Sequence, residues 1–282
     1  MSFALILAAS LLAQEPAAPV AAPAVAETSW RAVAPENLLV VDTSKGRILV
    51  EMAPAAAPLH VERIRLLAGR GFYDGLSFHR VIEGFMAQTG DPLGTGDGQS
   101  PYPDLTAEFT FRRGPEHAFT PVSAPQGALH GFMGSLPIAT QPDDFMGRTA
   151  DGRVHGWGVY CPGVAGMARG DANDSANSQF FLMRDAYPSL DKRYTVWGRV
   201  ISGLDVVRAI KVGEGAGGIV PAPTDQMTRV RVAADLPEAE RPTARVLDTG
   251  SPEFAAQLQA VRAARGADFS VCDLDLPVQV VG

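Results

Sequence analysis

Cysteine is scarce. The 282-residue chain has two, Cys161 and Cys272, far apart in sequence and without a C-x-x-C pair or nearby histidine spacing, which removes zinc-finger and thioredoxin-type readings. Basic charge is also short: 24 Lys+Arg stand against 31 Asp+Glu, a net charge of -7 with a pI near 5.2. Nucleic acid is therefore excluded as a main partner. Charged residues make up only 20% of the chain against 46% hydrophobic, the balance of a polypeptide that buries a core rather than staying disordered. No apolar run is long enough to span a bilayer. The first residues, 1–13, come nearest. They are apolar, too short to cross a membrane and followed at once by Pro-rich sequence, so they read as the core of a signal peptide without its usual basic leader. The mature chain is then expected outside the cytoplasm with no membrane span. What the sequence does have is 29 Gly and 22 Pro, the turn-rich composition of an all-β architecture rather than a helical bundle.

Residues 14–27 are almost all Ala, Pro and Val without periodicity, which predicts an extended tether, taken to reach residue 36. From Leu38 two β-rich runs flank Ser44-Lys45-Gly46 and predict a hairpin. Pro58 can occupy a first helical turn, and Val61, Ile64, Leu67 and Ala68 recur at helical spacing up to Gly69 and Gly71. Strand-like runs follow at 76–82, 85–88, 163–168 and 179–183. A short helix is expected over 206–211 and a closing strand over 227–232. Past a charged, Pro-bounded break at 237–242, residues 244–247, 252–265 and 276–281 read as strand, helix, strand. The chain thus divides into a domain of residues 37–235 and an extension of 236–282, with no internal repeat.

Strand alternation puts Phe78, Arg80 and Ile82 on one face, pairs Met86 with Gln88, and pairs Gln179 with Phe181. The plain reading makes the Phe and Met residues core, the glutamines partners of backbone groups, and Arg80 a side chain that reaches solvent. Alternation turns His79 away from Arg80, as a hydrogen-bonded interior histidine. The Gly-rich run 90–98 lacks the Gly-Lys-Ser/Thr ending of a phosphate loop and reads as a loop bordering a groove. Asp171, Asn173 and Ser175 alternate like calcium ligands, but Ala176 and Leu182 stand where an EF-hand needs Gly and Glu. No Gly-x-Ser-x-Gly elbow suggests a serine hydrolase.

Ordered blocks then carry a resemblance: Tyr73-Asp74-Gly75-Leu76-Ser77-Phe78-His79-Arg80-Val81-Ile82, Gly84-Phe85-Met86-Ala87-Gln88-Thr89-Gly90-Asp91-Pro92, Gly94-Thr95-Gly96, Gly166-Met167-Ala168-Arg169 and Asn177-Ser178-Gln179-Phe180-Phe181. Over residues 38–234 the chain resembles the cyclophilin-type peptidyl-prolyl isomerases. The resemblance implies a mainly β fold, a closed eight-stranded antiparallel barrel capped by helices, with the C-terminal residues as a small appendage. It implies isomerisation of X-Pro bonds in proline-containing polypeptides and assistance to folding, with no cofactor or metal. Carried over residue by residue, Arg80, Phe85 and Gln88 are the catalytic candidates. Met86, Phe181 and Leu190 would line the proline pocket with Phe85, Gln179 would contact the groove, Ala168 and Arg169 would border the peptide, and Tyr194 stands where many members carry His or Tyr. Arg169 and Tyr194 fit bacterial members, so export would lead to the periplasm. A monomer is expected, because nothing suggests a coiled coil or repeated interface. A second reading keeps the fold as a peptide-binding domain with little turnover.

Three departures matter. Glu83 replaces a proline on a turn, a change expected to be harmless. Ser189 stands beside Leu190 where the family usually has Trp or Phe, which removes an indole donor and predicts weak inhibition by cyclosporin. The segment 112–162 is much longer than the usual connection, and its Phe132, Phe145 and Trp157 suggest that it packs, against the extension in one arrangement. Cys161 and Cys272 could tie these two additions together in an oxidising compartment; a bridge and two free thiols both stay open.

Overall fold

A computed structural model describes residues 25–281; the expected signal segment, 1–13, and residues 14–24 of the tether lie outside them. The described chain opens with strand β1 (Trp30–Ala32), then β2 (Leu38–Thr43) and β3 (Gly46–Met52) form the expected hairpin. Helix α1 (Pro58–Gly69) follows, with Pro58 in its first turn. Two of its unpaired N-terminal amides, those of Leu59 and His60, donate to the Glu108 carboxylate at 3.1 Å each, which serves the cap that Ala57 cannot supply. Next come β4 (Arg80–Ile82) and β5 (Met86–Thr89), then five short strands, β6 (Phe111–Arg113), β7 (Thr120–Ser123), β8 (Leu129–Met133), β9 (Leu136–Thr140) and β10 (Val154–Gly158). The chain continues through β11 (Val164–Met167), β12 (Phe180–Met183), β13 (Val196–Ser202), α2 (Leu204–Ala209) and β14 (Met227–Val232). It ends in β15 (Thr243–Leu247), α3 (Pro252–Arg265) and β16 (Val278–Val281).

Three sheets result among the described residues. The largest has the order β14-β2-β3-β13-β11-β12-β5-β4 and is antiparallel throughout. Its two edges, β4 and β14, do not pair along their lengths. They meet at their margins, where the Phe78 N–H donates to Asp225 O at 2.9 Å and the N–H of Met227, the first residue of β14, to Leu76 O at 2.9 Å. The sheet is thus a curled eight-stranded half-barrel, and the expectation of a closed barrel is met only in strand number and direction. The insertion folds into a sheet of its own, β6-β10-β9-β8-β7, and β1-β15-β16 make a third. Residues 30–32 fall inside the 14–36 stretch read as tether, yet they pair with the extension, Trp30 opposite Leu247.

Two hydrophobic clusters organise these layers. One lies inside the curl and gathers Val61, Ile64 and Leu67 of α1, Val207 of α2, and Phe78, Phe180 and Trp197. The other lies outside it and runs without a break from Met86, Phe181 and Leu190 through Phe132 and Ile138 of the insertion to Phe254 and Leu274 of the extension. Arg199 joins the three units. Its buried guanidinium, emerging from β13, donates to Ser135 O at 3.0 Å in the insertion and to Leu274 O at 3.4 Å in the extension. Cys161 and Cys272 form a disulfide, with Cα atoms 4.9 Å apart, so of the two cysteine states left open the bridge is the one found.

Phe78 departs from its expected face. Residues 78 and 79 precede β4 and do not continue its alternation, so Phe78 joins the inner cluster with Val81 while Arg80 points outward. His79 is buried at 3% exposure, and burial pushes its pKa down toward the neutral ring, against the opposing pull of Asp91, the Ser77 backbone and the Gln179 side chain. Glu83 is not idle, since its carboxylate accepts from Arg184 Nη2 at 2.6 Å and pairs with that buried guanidinium.

Candidate active site

Strand register builds the site. Cross-strand partners run Arg80 to Gln88, Gln88 to Phe181 and Phe181 to Gly166, one line across four strands, so these residues share the outer face of the sheet. Every residue singled out by the sequence except Gln179 lines a single pocket of about 150 Å³: Arg80, Phe85, Met86, Gln88, Ala168, Arg169, Phe181, Leu190 and Tyr194. Gln179 lines an adjoining pocket of about 260 Å³ that shares Gln88, Ala168 and Arg169 and is bordered by Gly96 and Asp97 of the Gly-rich loop. Met86, Phe181 and Leu190 are buried at 1%, 5% and 9% exposure, while Phe85 is half-buried. The first pocket thus has apolar walls of Phe85, Met86, Phe181 and Leu190, with two cations, Arg80 and Arg169, at its edge.

A chain of polar contacts fixes Arg80. Arg80 donates from Nε to Gly217 O at 3.0 Å and from Nη1 to Gln88 Oε1 at 3.1 Å. Gln88 Nε2 donates to Gln179 Oε1 at 3.0 Å, and Gln179 Nε2 donates to Gly96 O at 2.7 Å and Gly98 O at 2.9 Å. A guanidinium can only donate, so each amide along this chain has one orientation that satisfies its neighbours. Burial draws the Arg80 pKa down, opposed by Tyr194, yet arginine remains charged in proteins. Asp91 anchors the far end of the chain, accepting from the N–H groups of Leu93 at 2.7 Å, Thr95 at 2.8 Å and Gly96 at 2.5 Å. Burial pushes its carboxyl up, and the combined amide donors outweigh this and hold it below its ordinary value.

Arg169 sits between the two pockets with its guanidinium 4.6 Å from the Tyr194 ring centroid and 5.5 Å from that of Phe109. It is further held by the carbonyls of Arg193 and Gly170, at 3.2 and 2.8 Å. Ser189 is exposed, and the aromatic ring on this side is that of Tyr187, 4.4 Å from Phe85 between centroids.

The stretch of chain that folds into the half-barrel is matched by a known family. The family described as cyclophilin type peptidyl-prolyl cis-trans isomerase/CLD fits residues 38–232. The chain belongs to the cyclophilin-type peptidyl-prolyl cis-trans isomerases. A protein of Brucella suis named as a probable peptidyl-prolyl cis-trans isomerase is 35% identical to this cyclophilin over 213 residues, 71% of this chain and 85% of that protein, and one of Brucella abortus matches to the same extent. The crystal structure of the cyclophilin AquaCyp293 from Hirschia baltica has 37% sequence identity and a TM-score of 0.80, with 89% of this chain and 93% of that one covered. That coverage is wider than residues 38–232, so the likeness reaches into the flanking elements.

Sequence reasoning did not find Gly217, whose carbonyl holds Arg80, nor Tyr187. A signal for the first exists in the run Gly213-Glu214-Gly215-Ala216-Gly217-Gly218, where repeated glycine suggests close backbone approach. At Gly218, φ is +69° and an added Cβ would lie 2.3 Å from Ile82 Cγ1. For Tyr187 there is none, because Tyr187 and Phe85 are brought together only by the tertiary fold.

Proposed function

We propose that this cyclophilin accelerates rotation about X-Pro bonds in flexible polypeptides at the pocket of Arg80, Phe85, Met86 and Phe181, without forming a covalent bond to its substrate. The barrier to amide rotation is about 18–20 kcal/mol, whereas the cis and trans states of X-Pro differ by only about 0.5–1 kcal/mol. Only the barrier needs lowering, and each tenfold of rate requires about 1.4 kcal/mol of preference for the twisted state. Twisting removes the charge separation of the planar amide, so an apolar niche that withholds water favours it. Twisting also returns a lone pair to the prolyl nitrogen. A guanidinium fixed at its base donates to that nitrogen or holds the neighbouring carbonyl. Phe85, Met86, Phe181 and Leu190 hold the proline ring as a pivot, while Gln88, Gln179, Ala168, Arg169 and Tyr194 bind the flanking backbone. In this reading rotation is confined to one side of the bond.

The observation that carries this reading is the anchoring of Arg80. Its Nε and Nη1 are engaged by Gly217 and Gln88, and Nη2 has no hydrogen-bond partner among the described residues, at the edge of the apolar niche. Isomerisation of a short X-Pro peptide by the wild type and Arg80→Ala tests it. Loss of a transition-state donor should reduce kcat/KM by about 10²–10³-fold; equal, near-background rates in both proteins would overturn the assignment and favour a binding domain.

The same reading treats residues 37–235 as the isomerase unit and 236–282 as an extension, working as a monomer whose sheet edges join as a closed barrel through the contacts beside β4 and β14. It also has the chain exported to an oxidising compartment such as the periplasm, after removal of residues 1–13. The Cys161–Cys272 disulfide supports export, since such bonds persist outside the reducing cytosol. No helix among the described residues is long and apolar enough to cross a membrane.

A further inference from the structure

The insertion returns to the half-barrel through Tyr160 and Cys161, immediately behind the pocket. Tyr160 is fully buried, and its ring stacks on Phe181 with centroids 5.9 Å apart and planes inclined by 26°. The close fit depends on Gly166, where an added Cβ would lie 2.6 Å from the Phe181 ring and 2.7 Å from Tyr160 Oη. The backbone of Tyr160 is held on both sides by the turn that carries Leu190. Its N–H donates to Asp191 Oδ1 at 3.0 Å, and its carbonyl accepts the Tyr187 N–H at 2.8 Å. Tyr187 in turn rests on Phe85. One residue therefore touches Phe181 directly and ties down the turn behind Leu190 and Phe85. The next residue, Cys161, is bonded to Cys272 of the extension, 111 positions away.

A proline ring offers little for directional hydrogen bonding, so an apolar niche orients it only if the walls keep their places. A wall with space behind it can swing away, because packed side chains hold one another in position. We propose that Tyr160 is a positioning residue for isomerisation, kept against Phe181 by the Cys161–Cys272 bond, so that the insertion and the extension together form the rear support of the proline pocket. This rests on the assignment of Phe181 to that pocket. The disulfide acts through Tyr160, whereas the continuous outer cluster also holds the extension in place, so loss of the bond has a smaller effect than loss of the ring.

Steady-state kcat and KM on an X-Pro peptide, measured with the full chain at a temperature where circular dichroism shows each variant folded, test this. Tyr160→Ala is expected to lower kcat/KM about tenfold, mainly through kcat, and Tyr160→Phe, which keeps the ring, to recover all but about twofold. The double variant Cys161→Ala/Cys272→Ala is expected to lose about threefold. A purely structural role would lower the melting temperature of Tyr160→Ala and leave both constants at wild-type values, and that result overturns the proposal. If Tyr160→Ala does not fold, Tyr160→Leu and the double cysteine variant carry the test, and wild-type constants in both overturn it equally. Phe181→Ala separates the two claims. Full activity there would sink the pocket assignment, whereas a large loss there beside wild-type behaviour in the Tyr160 and cysteine variants would sink only the rear support.

Discussion

Phe180 and Phe181 are neighbours on β12 and end in different cores. Phe180 faces the inside of the curl, edge-on to Tyr73 and Trp197 with both ring centroids 5.4 Å away. Phe181 faces outward against Tyr160 and Tyr194. The inner cluster is built from the half-barrel and its helices, and its task is to hold the curl together. The outer cluster contains the pocket walls and also the buried residues of the insertion and the extension. A register slip of one residue would exchange the two faces, so strand pairing sets fold and site at once. The division of labour between two adjacent phenylalanines can be broken experimentally.

Phe180→Ala should have the largest effect, and on stability: truncating a buried phenylalanine costs about 3–5 kcal/mol, read by urea unfolding, while kcat/KM per folded molecule stays close to wild type. Phe181→Ala should differ in activity. Being buried as well, it shares a stability cost of that order, but it should in addition lose about 10²-fold in kcat/KM per folded molecule, or about 2.7 kcal/mol of barrier. Equal losses of activity in the two variants would erase the distinction between the cores.

A smaller effect sharpens the outer core alone. Burial pushes the Asp191 carboxyl up to about 6, against the pull of the Tyr160 N–H and Lys192, from an unfolded value near 3.9. The folded value is the higher one, so the stability this carboxyl contributes is complete below about pH 4 and is lost as pH rises through about 6. Asp191→Asn keeps an acceptor for the Tyr160 N–H and cannot ionise. It should gain on the wild type between pH 4 and 8, by on the order of 1–2 kcal/mol once partial exposure is allowed for. Urea titrations at pH 4, 6 and 8 check this, and a difference that does not vary with pH contradicts it. The weakest response expected is to cyclosporin. With Ser189 exposed beside Leu190 and no indole donor there, inhibition in the isomerisation assay should fall short of stoichiometric.

Much of the fold was legible because local rules governed it. The β2–β3 hairpin, α1 and the strand-helix-strand extension follow from a Gly-containing turn, a Pro-initiated helical period and Ser251 before Pro252, whose hydroxyl accepts the Phe254 N–H at 3.1 Å. Strand β13 went unread. Val196 to Val200 are buried on both faces, and a strand between two cores loses the alternation that announces one with a solvated face. The insertion sheet was hidden for a different reason. Its strands span three to five residues, and Gly131, Pro137 and Gly156 lie within them, residues that ordinarily mark strand ends.

The candidate site shows the same division. Residue types on β4, β5 and β12 could be assigned to a face by counting in twos from Arg80, Met86 and Phe181. Counting failed at Phe78, because the regular strand begins only at Arg80. What holds the site came from far along the chain: Gly217 lies 137 residues from Arg80, and Tyr160 lies at the end of a segment with no strand signal of its own.

The most direct test of the account is kcat/KM for Arg80→Lys on an X-Pro peptide, with folding verified by circular dichroism. Lysine keeps the positive charge but has no planar fork to be fixed by Gly217 and Gln88 while donating outward. The account predicts a loss of about 10²-fold. Wild-type activity in Arg80→Lys would contradict it, because charge alone would then suffice and the anchored guanidinium would have no part in easing the twist of the prolyl bond.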